Sequence, residues 1–79
     1  MKEEEIKKIV TDYNQRLSLS GNSLEFVDFK NNKLTLKFNC ADKTEFKVQG
    51  KIVTMAEGIK QEIVKYFKMK IANIIIIFI

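Results

Sequence analysis

The chain has 79 residues, of which 46% are hydrophobic and 30% charged, with three glycines, one cysteine and no proline or histidine. This length and composition predict one small globular domain over residues 1–79 and exclude a disordered linker. The formal net charge is +4, but Arg16 is the only arginine. Its isolation argues against nucleic-acid binding, because arginine makes most bidentate contacts to phosphate and guanine.

The amino-terminal segment MKEEEIKK is charged and runs directly into a helical pattern. We therefore expect no secretory leader and a cytoplasmic, reduced protein, since a single cysteine cannot form an intrachain disulfide. Apolar residues recur at three-and-four spacing from Ile6 to Leu17, which predicts an amphipathic helix over residues 2–17. Gly21 follows and is a candidate for the carboxy-terminal cap of this helix.

Three segments after the first helix have the two-residue period of β-strands. Ser23–Phe29 has apolar residues on both faces, and Leu34–Cys40 alternates apolar with polar residues. Between them, the asparagines of Lys30–Lys33 tolerate left-handed backbone geometry and predict the turn of a β-hairpin. Alternation returns at Thr44–Gln49, which predicts a third antiparallel strand.

The helical period reappears after Gly50 and predicts a second helix over residues 51–68. Thr54 and Glu57 have the spacing of a capping box, which leaves open a regular helix that begins only at Thr54. Gly58 lies inside this helix, where glycine costs about 1 kcal/mol relative to alanine. We therefore expect Gly58 to pack closely on the sheet or on the first helix.

The tail Ile71–Ile79 is apolar except for Asn73, but a membrane-spanning helix needs about 20 such residues. Its isoleucines predict a strand covered on both faces, and the alternative is an exposed edge that pairs with another chain. The order helix, strand, strand, strand, helix, strand predicts a two-layer α+β fold. In that fold both helices lie on one face of a small sheet.

This element order, with the segments LEFVDF, KLTLKF and TMAEGIKQEI, resembles the carboxy-terminal domain of NifU-type iron–sulfur scaffold proteins. The resemblance covers nearly the whole chain, and its most specific part is Glu57-Gly58-Ile59. It implies a helix-strand-strand-helix-strand domain whose chemistry rests on a Cys-x-x-Cys motif between the second strand and second helix. This chain has Cys40-Ala41-Asp42-Lys43 in that connection, so the scaffold role is not expected to carry over.

Cys40 is the one candidate cofactor-binding residue. An iron–sulfur cluster usually needs four thiolate ligands, whereas a symmetric dimer of this chain supplies two cysteines and no histidine. The lack of histidine also removes the usual base for a nucleophilic cysteine. The place of Cys40 on the apolar side of a strand predicts a packing role instead. We identify no catalytic residue and no metal-ligand set, and we expect neither enzyme activity nor a bound cofactor.

The sequence therefore favours a non-catalytic protein-interaction or self-association domain of NifU-like type. The tail is more apolar than one small sheet readily covers, which predicts a homodimer or a protein partner at the carboxy-terminal strand. One alternative is an accessory protein in iron–sulfur cluster assembly that uses Cys40 with thiolates of a partner. A second is a weak RNA-binding module, although the chain has no Gly-x-x-Gly clamp. We expect its phenylalanines to lie mostly on buried faces: Phe26, Phe29, Phe38 and Phe46.

Overall fold

Two helices cover one face of a three-stranded sheet, and a two-stranded hairpin forms a second sheet. The computed structural model describes residues 2–79. The elements in chain order are α1 (Glu3–Ser18), β1 (Ser23–Lys30), β2 (Lys33–Asn39), β3 (Glu45–Val48), β4 (Lys51–Thr54), α2 (Met55–Lys70) and β5 (Ile75–Phe78). The predicted α+β class with two helices is confirmed, whereas the number of strands and their division into sheets differ from the prediction.

The first helix, α1, packs on the sheet through one apolar face, as its periodicity predicts. Ile6 and Val10 are buried on this face. The helix ends where the N–H of Asn22 donates to the carbonyl of Leu17 at 3.0 Å, which is the six-to-one bond of a Schellman motif. Gly21 has a φ of 77°, so the predicted glycine cap is confirmed.

Two asparagine side chains connect the carboxy-terminal part of α1 and the residues after it to neighbouring segments. Asn14 on α1 accepts a hydrogen bond from the N–H of Leu24 at 2.8 Å, which fixes the start of β1. The buried Asn22 accepts from the N–H of Ala41 at 2.8 Å, which holds the segment that follows β2. Both hydrogen bonds are partly buried, and leaving a buried backbone donor without a partner costs about 1–3 kcal/mol.

The strands β1 and β2 form the predicted antiparallel hairpin. Its two turn residues, Asn31 and Asn32, have φ values of 51° and 61°. Positive φ at both central positions is the requirement of a type I′ turn, whose twist matches that of the flanking strands. The left-handed tolerance of asparagine therefore explains the position of the turn.

A bulge in β1 between Phe26 and Asp28 changes which side chains face the helices. One additional residue of β1 lies opposite β2 there, so Phe29, paired with Leu34, returns to the same side as Phe26. Val27 is left exposed. The apolar residues that the sequence places on both faces of β1 therefore do not form two covered faces, because the inserted residue reverses the alternation.

The strand order in the main sheet is β1-β2-β5, and β5 pairs parallel with β2. The crossover between these parallel strands contains α2, which places that helix over the sheet. Ile76 and Phe78 of β5 pack against the core, whereas Ile75, Ile77 and Ile79 are exposed. The prediction of a tail strand covered on both faces is wrong, because both helices lie on the same face of the sheet.

The predicted third strand exists as β3, but it pairs with β4 and not with the main sheet. Gln49 and Gly50 form the connecting turn with φ values of 50° and 80°. The prediction of helix from residue 51 is wrong, since Lys51–Thr54 is the second strand of this hairpin. The alternative start near Thr54 is confirmed.

The second helix, α2, begins at a side-chain cap. Thr54 is the N-cap residue, and its hydroxyl accepts a hydrogen bond from the N–H of Glu57 at 3.2 Å. This contact satisfies one of the backbone donors that every helix leaves open at its first turn. Ile63 and Phe67 of this helix are buried in the core between α1 and the sheet.

Aromatic rings connect the two helices. The ring of Tyr13 on α1 lies 4.7 Å from that of Tyr66 on α2, and Tyr66 meets Phe67 edge-on at 5.6 Å. The Arg16 guanidinium and the Lys70 ammonium lie 5.5 Å and 5.1 Å from the Tyr66 ring centroid. Tyr66 therefore takes part in both the apolar contact between the helices and two cation–π contacts.

Gly58 does not pack as predicted. Apart from the glycine's own helical backbone and chain neighbours, no described heavy atom lies within 4 Å of the place a Cβ would occupy. The expectation that Gly58 permits a close approach of the sheet or of α1 is therefore wrong.

Candidate interaction surface

The outer edge of β5 presents backbone groups that the main sheet does not use. The N–H groups of Ile75 and Ile79 donate to carbonyls of Asn32 and Leu36 on the β2 side, each at 3.0 Å. Successive residues of a strand direct their N–H and C=O groups to opposite edges, so those of Ile76 and Phe78 point outward. Among residues 2–79, no strand pairs with this edge.

The side chains beside the outer edge are apolar and accessible. Ile75, Ile77 and Ile79 are 50%, 40% and 69% exposed on the face of the sheet opposite the helices. Their neighbours across the β2 ladder on this open face are Lys33 and Thr35. A row of isoleucines on an edge strand is unusual, because proteins commonly protect such edges with charge, proline or a covering element.

A shallow depression on α2 is lined by Lys60, Gln61, Val64 and Lys65. The Nζ of Lys60 lies 5.3 Å from the centroid of the Phe78 ring, so this part of the helix stands over the end of β5. A strand added to the outer edge would direct alternate side chains toward the isoleucines and toward this helix. The helix α2 therefore lies beside the outer edge of β5, on the face of the sheet opposite the exposed isoleucines.

Cys40 lies directly after β2 and is partly buried. Its thiol donates a hydrogen bond to the carbonyl oxygen of Asp42 at 3.1 Å, and its own carbonyl accepts one from the Nζ of Lys43 at 2.9 Å. These are contacts within one turn. Among residues 2–79, no group of three or more histidine, cysteine, aspartate or glutamate side chains could hold a metal ion.

Asp42 organises the same turn. Its carboxylate accepts hydrogen bonds from the hydroxyl and from the N–H of Thr44, the latter at 2.8 Å. These bonds, that from the hydroxyl first, hold the pKa of Asp42 below its ordinary value because they stabilise the charged form. The carboxylate therefore stabilises the turn at the base of the β3–β4 hairpin, where Met55 N–H also donates to the Thr44 carbonyl at 2.9 Å.

The arrangement of aromatic side chains bears on RNA recognition. Proteins that read RNA on a sheet stack bases on exposed aromatic rings of that sheet. Here the phenylalanines of the main sheet all lie on the helix-covered side: Phe26, Phe29, Phe38 and Phe78. The exception to the predicted burial is Phe46 in the hairpin, which is 44% exposed.

Comparisons with known proteins add no relative: no protein family, curated protein or solved structure matches the chain. Within residues 2–79, neither helix has the length and apolar character needed to cross a membrane.

The apolar tail predicts docking to another chain, but the sequence does not predict which of its residues are exposed. The run Ile74–Ile79 contains no polar residue, so it carries no alternation from which a buried face can be assigned. The exposed hairpin was missed for a related reason, because Ile52 continues the helical spacing of Ile59 and Ile63 into a segment that is a strand. The turn at Gln49 and Gly50 was the available signal, since glycine after a strand favours a hairpin.

Proposed function

We propose that the chain is a non-catalytic protein-interaction domain that self-associates by pairing the outer edge of β5 with a strand of a second copy. The observation that carries this proposal is the exposure of Ile75, Ile77 and Ile79 beside backbone groups directed away from the sheet. Added strands use the open hydrogen-bonding groups for affinity and the alternate side chains for specificity.

The energetics support an association of this kind. Each exposed isoleucine leaves apolar surface in water, and covering such surface contributes about 25 cal/mol per Å². The outward N–H and C=O groups of Ile76 and Phe78 would gain partners in a regular ladder. A second copy offers a matching surface, because it carries the same exposed apolar residues.

The proposal includes a fold of NifU-like type without cluster ligands. When the β3–β4 hairpin is set aside, the remaining order of α1, β1, β2, α2 and β5 agrees with the order that this resemblance implies. Cys40 is then a residue of the connecting turn, in agreement with its contacts to Asp42 and Lys43. Function would reside in recognition by the surface and not in a reaction.

Sedimentation equilibrium over a range of concentrations tests the proposal with Ile77→Lys. We expect the natural chain to dimerise and the variant to dissociate at least about tenfold more readily, because lysine blocks edge pairing. Ile77 is partly exposed, so the variant should keep the fold, which circular dichroism checks. Leu19→Lys is the control for an added surface charge, since Leu19 is 87% exposed and lies outside β5.

A natural chain that stays monomeric at high concentration would rule out self-association through β5. Hydrogen exchange supplies an independent measurement, because pairing should protect the outward amides of Ile76 and Phe78 as concentration rises. Equal dimerisation by Ile77→Lys and the natural chain would place the interface elsewhere.

A further inference from the structure

The β3–β4 hairpin is a second apolar surface without cover. The register pairs Phe46 with Val53 and Val48 with Lys51, so these side chains share one face of the ribbon. Phe46 and Val48 are 44% and 52% exposed, and every residue from Ala41 to Ile52 is exposed. Within residues 2–79, no hairpin residue belongs to the buried core.

An isolated two-stranded hairpin is marginally stable in water, since it has little apolar area to bury. Two features hold this one together: at its base the Thr44 carbonyl accepts from the N–H of Met55, and at its tip Gln49 and Gly50 form the tight turn. The apolar face formed by Phe46 and Val48, beside the partly buried Val53, is not needed for either feature. Its exposure points to a contact outside this copy of the chain.

We propose that the hairpin is the exchanged arm of the dimer, with β3 of each copy paired antiparallel to the outer edge of β5 in the other copy. This inference rests on the proposed function and identifies the strand that β5 receives. Both strands have four residues, and among residues 2–79 the edge of β3 opposite β4 pairs with no strand.

The position of the hairpin base favours reciprocal exchange. Leu36 of β2 pairs with Phe78 of β5, so the segment that leaves β2 for the hairpin starts at the carboxy-terminal end of β5. The contact of Lys60 with the Phe78 ring places the start of α2 at the same end. When these ends of two copies face each other across a two-fold axis, each arm extends along β5 of the opposite copy.

The area needed for a stable dimer also favours the arm. Stable interfaces bury about 800 Å² on each partner, which one four-residue strand edge cannot supply. Reciprocal exchange covers two β5 edges and two hairpin faces in one assembly. In addition, direct pairing of β5 with β5 would bring two α2 helices together. Each helix carries more lysines than glutamates, so the two would repel: Lys60, Lys65, Lys68 and Lys70, with Glu57 and Glu62.

Single-cysteine cross-linking in a Cys40→Ser background tests the inference, because the chain has no other cysteine. An isotope-labelled Phe46→Cys variant, whose position lies opposite Ile77 when the two four-residue strands overlap fully, is mixed with unlabelled Ile77→Cys, oxidised and analysed by mass spectrometry. We expect the mixed cross-link to exceed the Ile77→Cys self-link at least about tenfold, since a disulfide forms only between closely placed residues. A dominant Ile77→Cys self-link would overturn the arm exchange in favour of direct β5 pairing.

Charge substitution gives a second measurement that does not depend on disulfide geometry. Val48→Lys should weaken dimerisation at least about tenfold, whereas Ile52→Lys should leave it unchanged. Ile52 is 66% exposed and, paired with Lys47, lies on the opposite face of the ribbon. If Ile77→Lys gives monomers while Val48→Lys stays dimeric, the arm exchange fails and the β5 interface stands. A monomeric natural chain would refute both.

Discussion

Gly58 lies in the first half of α2 with open space beyond its own helix and chain neighbours. Glycine in a helix interior lowers the stability of a protein by roughly 0.5–1 kcal/mol relative to alanine, because the unfolded backbone has more freedom at glycine. We therefore predict that Gly58→Ala raises the free energy of unfolding by about that amount. Urea denaturation checks this as a higher midpoint with an unchanged slope.

Gly50 provides the matched control for this substitution. It also has open space around the Cβ position, but its φ is 80°, a left-handed value that side chains disfavour. Gly50→Ala should lower the free energy of unfolding by roughly 1–2 kcal/mol, so the two glycines should respond with opposite signs. A loss of stability in Gly58→Ala would contradict the open space assigned to this position.

The ionisation of Tyr13 depends on the contact between the helices. Burial first, and then the negative charge of Glu62, raise the pKa of Tyr13 above its ordinary value of 10.0, while Arg16 opposes the rise. The neutral phenol is thus favoured in the folded state. Its stabilising contribution is complete below pH 10 and is lost as the pH rises through the higher folded-state pKa.

We predict that Glu62→Gln lowers the ionisation midpoint of Tyr13, because it removes a charge that repels the phenolate. Tyrosinate absorbance in a Tyr66→Phe background measures this, since the chain has two tyrosines and no tryptophan. Glu57→Gln changes an exposed carboxylate on the same helix and should leave the midpoint in place. An unchanged midpoint in both variants would contradict the assigned influence of Glu62.

At the scale of elements, periodicity predicted α1 and β2 correctly, because each has one wet face and a clear polar–apolar pattern. The strand β1 was also predicted, although its sequence places apolar residues on both faces. Periodicity does not predict the bulge between Phe26 and Asp28, since an inserted residue alters the strand pairing without altering the composition. The start of α2 was ambiguous because Ile52 fits a helical stripe and also alternates in a strand. The cap at Thr54 was the more reliable signal.

The candidate surface was predictable only in part. The strongly apolar tail led to the prediction of a docking strand, which stays a prediction, and the identity of the outward residues depends on which edge and face the fold leaves open. That choice follows from the parallel pairing of β5 with β2 and from the position of both helices on one face. Neither property is encoded locally in Ile74–Ile79, so the exposure of Ile75 and Ile77 could not be predicted from the sequence of the tail.

At the scale of the whole molecule, buried and exposed apolar residues are separated in space. The core forms where α1 and α2 meet the sheet, whereas the open face of β5 and the hairpin carry Ile75, Ile77, Phe46 and Val48 in contact with water. A chain of this size buries about 60% of its unfolded surface and has little stability to spare. Association would therefore contribute a sizeable share of the total stability.

This coupling predicts a thermal midpoint that depends on concentration. Unfolding of a dimer releases two chains, so a tenfold rise in concentration above the dissociation constant adds about 1.4 kcal/mol per dimer. Shared between two chains of this size, the increase should raise Tm by about 3–6 °C. Differential scanning calorimetry of the natural chain and of Ile77→Lys measures it. The variant should unfold at one temperature at all concentrations, and a concentration-independent Tm for the natural chain would mean that its monomer is stable alone.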